Sequence, residues 1–126
     1  MLMRWITMLS VVAALAPAAQ AKQVNRYKLL ESRCSQATPH HCIHYAVFVK
    51  RLWGWQEAWM YRVAACESEM NPYAHNSSGA SGLYQFLYST WASTPYHWRW
   101  IYSAKWNSLA AAWMVQQGRT GEWVCG

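Results

Sequence analysis

Four cysteines, Cys34, Cys42, Cys66 and Cys125, constrain this chain more than any other feature. An even count favours disulfides where thiols are oxidised, and four thiols allow three pairings. We prefer Cys34–Cys42 and Cys66–Cys125. The first staples a turn containing Ser35, Thr38 and Pro39. The second ties the chain just before Glu67 to residue 125, a closure contributing about 4 kcal/mol on the chain-entropy account. With 126 residues the chain makes one small domain, whose core is limited enough for such links to matter.

The N-terminus agrees with an oxidising destination. Arg4 precedes an apolar run from Trp5 to Ala16, and Ala19-Gln20-Ala21 offers a small-residue cleavage site before Lys22. The run is shorter than the ~20 residues a spanning helix needs, so residues 1–21 are expected to be a cleaved signal peptide. No stable membrane insertion after cleavage is expected. Losing Arg4 alone takes the formal charge from +6 to +5, and every acidic residue is a Glu. A basic, Trp-rich, exported monomer suits an anionic surface or polymer. The interleaved Lys/Arg patches of a nucleic-acid binder are missing, so cell-wall polymer is the expected partner, in a secreted, cell-wall or periplasmic setting.

Along the chain, residues 22–54 read as an N-terminal helical extension and 55–126 as the main domain. Lys22–Ser32 is a polar, weakly helical leader. Ile43–Trp53 has near-helical apolar spacing, and Gly54 interrupts it. Trp55–Ser68 is the clearest helix, with Trp55, Trp59, Val63 and Cys66 as its apolar stripe. Glu67 borders that stripe, while Glu69 points elsewhere on a helix. Asn71-Pro72 prevents continuation. Asn76-Ser77-Ser78-Gly79 is a turn flanked by a short extended pair. Leu83–Trp91 returns to helical spacing, and Pro95–Tyr102 is aromatic and irregular. Asn107–Gly118 reads as a helix capped by Asn107 or Ser108 and stopped by Gly118. The fold class is α+β, predominantly helical, with a small loop/β lobe.

Glu67 is the leading catalytic candidate. It lies beside an apolar stripe, next to a disulfide, and faces a Gly-rich loop that carries Gln85. A carboxyl held protonated there can donate to a leaving oxygen, as in glycosidic cleavage. The usual pair of carboxylates is poorly supported. Glu69 points away, Glu57 lies about 15 Å back along the helix, and Glu122 approaches only if the terminal disulfide brings it near. The His40-His41-Cys42 and His44 cluster lacks a matching second pair, so no metal is expected. No phosphate-binding loop, Ser/His/Asp order or redox Cys-x-x-Cys pair is present. Ten tryptophans exceed what a core this small holds, so some are expected to line a sugar-binding groove.

Glu67-Ser68, Asn71-Pro72, Ala74, Asn76 and Gly79-Ala80-Ser81-Gly82-Leu83-Tyr84-Gln85-Phe86, followed by Ser89-Thr90-Trp91, resemble a lysozyme-like lytic transglycosylase domain. The small secreted type similar to resuscitation-promoting factors, with a Cys before the Glu, is nearest in flavour. The resemblance runs from Trp55 to Gly126 and includes Gly121-Glu122-Trp123-Val124-Cys125. It implies a lysozyme-like fold, peptidoglycan glycan strands as substrate and no cofactor. Glu67 would be the sole acid/base at the bond between N-acetylmuramic acid and N-acetylglucosamine. The muramic 6-hydroxyl would act as nucleophile, leaving 1,6-anhydromuramyl ends. Gln85 would bind the sugar, Ser68 would orient Glu67, and Tyr84 or Tyr102 would contact the glycan. Tyr84 stands where larger transglycosylases often carry Met, and Pro95–Lys105 lacks the acidic residue of many relatives. A hydrolytic lysozyme on the same fold and a noncatalytic wall-binding or signalling module are the alternatives.

Overall fold

The structure, a computed structural model, describes residues 17–126. Most of the expected signal peptide lies outside the described residues. The elements are α1 (Pro17–Arg33), α2 (Pro39–Val49), α3 (Trp55–Ser68), α4 (Tyr88–Ala92) and α5 (Ala104–Gln116), followed by a 3₁₀ turn at Thr120–Glu122. Among the described residues, extended pairing is confined to the bridges Ser35–Thr38, His75–Ser81 and Ser81–Phe86. The fold is therefore predominantly helical, as expected, with its β component reduced to single bridges.

α2 is the centre of the packing: α1, α3 and α5 all lie against it. It starts at Pro39, ahead of the expected Ile43, because proline's fixed φ suits a first helical turn. Its buried residues include Cys42, Ile43, Ala46 and Val47, and α5 answers with the small Ala110, Ala111 and Ala112. Small side chains let the two axes approach closely. α1 is mostly exposed and buries only Leu30. It is fastened by the Tyr45 hydroxyl, which donates to the Glu31 carboxylate at 2.8 Å and lies 2.7 Å from the Tyr27 hydroxyl. Burial pushes the Tyr45 phenol up. The Tyr45 hydrogen bond, aided by Lys105, holds the Glu31 carboxyl below its ordinary value.

α3 spans the expected residues, but its inward face differs from the expected stripe. Trp59, Met60, Val63, Ala64 and Ser68 are buried, whereas Trp55 is 62% exposed and Cys66 is exposed. A 3.6-residue period pairs 59 with 63 and 60 with 64, and Trp55 falls on the turn beyond the core's edge. The helix expected over Leu83–Trp91 is shortened to Tyr88–Ala92. Gly82 and Gln85 both have positive φ, 83° and 51°, which a right-handed helix does not admit. The segment closes instead into a turn, with Ser81 and Phe86 exchanging backbone bonds of 3.0 Å.

α5 begins at Ala104. Ser103 caps it by accepting from Trp106 N–H at 3.3 Å. Asn107, expected at the cap, is instead fully buried in the first turn. Its Oδ1 accepts from Tyr84 N–H at 2.8 Å, and its Nδ2 donates to the Ile101 carbonyl at 2.8 Å. Gly82 lies directly over this amide: a Cβ there would meet the Asn107 side chain and stand 2.6 Å from the Ile101 oxygen.

Gly82→Ala therefore combines a left-handed backbone with overpacking. It should cost about 2 kcal/mol or more, read as a thermal midpoint at least about 8 °C lower. The Glu31 carboxyl is held down when folded, so its contribution is fully present above the ordinary value of 4.5 and is lost as pH falls through the lowered folded value. Acid titrations of stability should accordingly lose part of their slope in Glu31→Gln.

Candidate functional site

α3 ends where its last turn meets the loop, and this end builds the cleft. Ser68 turns its hydroxyl inward, 2.7 Å from the Leu83 carbonyl and 3.0 Å from that of Ala64, so it joins the helix end to the loop. The expected role of orienting Glu67 is not what this hydroxyl does. Glu69 then adopts a left-handed conformation with φ 55° as the helix C-cap. That reversal places Glu69 on the same cleft as Glu67, contrary to the helical projection that sent it elsewhere.

The cleft has a volume of about 460 Å³ and is lined by Glu67, Glu69, His75, Asn76, Ser77 and Gln85 among others. A larger groove of about 510 Å³ lies between α1 and the end of α2, but it carries no carboxylate. Chemistry therefore favours the smaller, polar cleft. Glu67 is half-buried, and its Oε1 accepts a long bond of 3.4 Å from Cys125 N–H. That contact exists because the Cys66–Cys125 disulfide draws the C-terminal strap beside the helix end. The second disulfide joins Cys34 to Cys42, so both preferred pairings occur.

Trp123 locks the strap from inside. Its Nε1–H donates to the Tyr84 carbonyl at 2.6 Å, and its ring meets Trp59, Tyr84 and Phe86 edge-on. Tyr84 belongs to this core and not to the cleft. It is 0% exposed, its hydroxyl donates to the Met60 carbonyl at 2.7 Å, and burial pushes its phenol well up. The expectation that Tyr84 contacts glycan is thus corrected: Leu83, Tyr84 and Phe86 all turn into the core, and Gln85, at its positive φ, is the residue left partly exposed on the cleft.

Gln85 is held by its own amide. Nε2 donates to the Ala74 and Gly82 carbonyls at 3.0 and 2.9 Å. Both amide hydrogens are thereby used, and Oε1 remains as the acceptor available to a sugar hydroxyl or acetamido N–H. Tyr102 reaches the cleft through His75. Its hydroxyl lies 3.1 Å from His75 Nδ1 and 3.3 Å from Ser81 Oγ. Ser81 Oγ can donate to the Gly79 carbonyl at 3.1 Å and also lies 2.9 Å from His75 Nδ1, so the Ser81 and Tyr102 hydroxyls share that nitrogen.

His75 was not among the candidate residues. The signal available was its place between Ala74 and Asn76, inside the turn-rich segment. Trp100 links Tyr102 to Tyr73 in an aromatic run beside it, with ring centres 5.8 and 6.3 Å apart. Of the tryptophans, Trp59, Trp91 and Trp123 are buried, whereas Trp53, Trp55, Trp98 and Trp100 are largely exposed.

Of the other carboxylates, Glu122 pairs with Arg119 at 2.6 Å, Glu31 with Tyr45 and Lys105, and Glu57 lies in the first turn of α3, at the far end from the cleft. The histidine cluster is dispersed by α2. His41 Nδ1 sits 3.1 Å from the Arg33 carbonyl, His40 stacks near Tyr61, and Cys42 is in its disulfide. Among the described residues, no group of three His, Cys or acidic side chains is placed to hold a metal ion.

Because the strap supplies the Glu67 contact, replacing both Cys66 and Cys125 by Ser should lower stability by about 2–4 kcal/mol. Glycan cleavage should fall further than the folded fraction does. Circular dichroism and product assays on the same sample check this.

Searches of curated proteins and of solved structures found no match. The family model described as Transglycosylase SLT domain matches residues 48–115, more than half of the chain. The match runs from the end of α2, through the whole cleft, almost to the end of α5. The helical architecture with its two disulfides is consistent with the lysozyme-like fold of that family. It supports a glycan-cleaving function of the lytic-transglycosylase type in general. On this match, the chain belongs to the Transglycosylase SLT domain family.

Proposed function

We propose that the protein is an exported lytic transglycosylase that cleaves the β-1,4 bond between N-acetylmuramic acid and N-acetylglucosamine in peptidoglycan. The observation that carries this reading is Glu67: a half-buried carboxyl on a polar cleft, opposite Gln85, within the segment matched by the family. Protonated Glu67 gives its proton to the glycosidic oxygen as the bond to muramic C1 breaks. The resulting carboxylate takes the proton of the muramic 6-hydroxyl, whose oxygen bonds to C1. The product is a 1,6-anhydro end, and no water is consumed. Gln85 Oε1 offers an acceptor, and the His75 ring a further polar contact, to hold the sugar ring. The leader at residues 1–21 and the paired cysteines support export to the wall or periplasm.

A second reading rests on Glu69, which lines the same cleft. If Glu69 activated a water, the enzyme would be a hydrolytic lysozyme leaving reducing muramic ends. Mass spectrometry of soluble products from purified peptidoglycan separates the two. Wild type should yield anhydromuropeptides, Glu67→Gln should lose at least about 100-fold in rate, and Glu69→Gln should keep the anhydro product. Reducing ends that disappear in Glu69→Gln would establish hydrolysis. Binding without any product from wild type would favour the noncatalytic module.

A further inference from the structure

The end of the molecule away from the cleft carries an apolar and cationic feature that cleavage does not use. Between α2 and α3, Trp53 is 77% exposed and Trp55 is 62% exposed. Tryptophan is highly buried on average, and two open indoles within three residues form a patch, not a scattered contact. Among the described residues, no aromatic ring and no cation lies against either one. Their loop is nevertheless anchored. Leu52 is buried and its N–H donates to the Val47 carbonyl at 3.0 Å, while Trp53 N–H donates to Gln56 Oε1 at 3.4 Å. Gly54, at φ 57°, turns the chain between the two rings. α3 then runs 14 residues from Trp55 to Ser68, so the loop stands about 20 Å from the cleft.

The start of α1 lies at this same end. Gln20 and Val24 share the groove of about 510 Å³ with Val49 and Arg51, and Arg51 is two residues before Trp53. The apolar run of the expected leader, residues 5–16, joins the chain at Pro17, one turn before Gln20. Cations collect here as well. Arg51 is exposed, the Arg26 guanidinium carbon lies 5.2 Å from the centre of the Phe48 ring, and α1 carries Lys22 before its first acidic residue, Glu31. Glu57, in the first turn of α3, is the carboxylate nearest the loop in sequence. The balance of this end is therefore positive.

We infer that the Trp53-Gly54-Trp55 loop, with Arg51 and the start of α1, docks on the surface of an anionic lipid bilayer. Free indoles settle in the headgroup layer, where one edge is apolar and the other wet, and nearby Lys and Arg are drawn to the lipid phosphates. The end that docks is also the end from which the apolar leader leaves. A glycan fits this loop less well. Neither indole lines the groove or the cleft, and an open ring alone lacks the placed polar groups that fix a sugar. Docking is peripheral, since no helix among the described residues is long and apolar enough to cross a membrane. It holds the cleft on the side of the molecule away from the lipid. The inference goes beyond the proposed cleavage and takes from that reading only the leader.

The test uses the oxidised chain from Lys22, the form that cleavage of the leader leaves; Leu30 is the one residue α1 buries, so no core contact is lost. It is sedimented at low salt with vesicles of mixed phosphatidylcholine and phosphatidylglycerol. It should bind them, and should bind vesicles of phosphatidylcholine alone at least about 10-fold more weakly. Trp53→Ser combined with Trp55→Ser should weaken binding about 10-fold or more at an unchanged thermal midpoint. Trp53→Ser alone supplies a second reading if the pair fails to fold. Tyr88→Ser, which removes an equally open ring (81% exposed) from α4, should bind as wild type. Glu67→Gln should also bind as wild type, so failure of the enzymatic reading leaves this result standing, and secretion of the full chain tests the leader separately. Absence of vesicle binding, or binding that the double variant keeps or that Tyr88→Ser weakens as much, overturns the inference. Retention on purified peptidoglycan that needs both tryptophans, without vesicle binding, would overturn it too and assign the loop to the wall.

Discussion

The Asn107 carboxamide satisfies two backbone groups at once, taking the buried Tyr84 N–H and giving to the part-buried Ile101 carbonyl. The Tyr84 N–H has no water to fall back on, so losing its bond would strand a polar atom at about 1–3 kcal/mol. The geometry also explains the residue above it. Only a glycine at 82 leaves room for the amide, and only a residue tolerant of positive φ turns the chain there. From this joint the rest follows in order. Tyr84 is driven inward onto Met60, Gln85 is left facing the cleft, and the loop carbonyl of Leu83 meets Ser68 at the end of α3. The acid-bearing helix and the Gln-bearing turn are thus registered by buried polar contacts, which are directional in a way that apolar packing is not.

The N-terminal part contributes to the same construction. Gln36, held in the turn closed by Cys34–Cys42, donates to the Tyr102 carbonyl at 2.8 Å, and its oxygen accepts from Ala104 N–H. It therefore brackets the start of α5 three residues before Asn107. Residues that fall outside the family match shape the segment carrying Tyr102, and through it the orientation of His75.

Much of this was legible in the sequence because it depends on local chemistry. The α3 boundaries and the Gly118 stop at φ 71° follow from short-range signals, and the even cysteine count pointed to disulfides, of whose three possible pairings the preferred one occurs. Glu67 and Gln85, singled out for the same reason, both line the cleft. The failures share a cause as well. Glu69 was projected along a helix that had already ended, Tyr84 was offered with Tyr102 as a glycan contact although it is fully buried, and Asn107 was offered with Ser108 as a cap although Ser103 fills that role. Each depended on a tertiary partner: the cleft, the Met60 carbonyl, the Ile101 carbonyl. His75 was missed because a lone histidine in a turn carries no periodicity, and its neighbours Tyr102 and Ser81 are distant in sequence or unremarkable in type.

The strap that carries Cys125 and Trp123 has a bearing on the order of assembly. Glu67 is made 58 residues before the backbone N–H that contacts it. α2, at the centre of the packing, likewise waits for α5. Contacts of such long sequence separation form late, after the closure entropy of the intervening chain has been overcome. A growing or reduced chain would hold every residue of the cleft yet leave the acid without its strap. Catalytic competence would then mark the completion of folding, and oxidation of the last cysteine would act as a chemical timer set by the compartment the chain has reached.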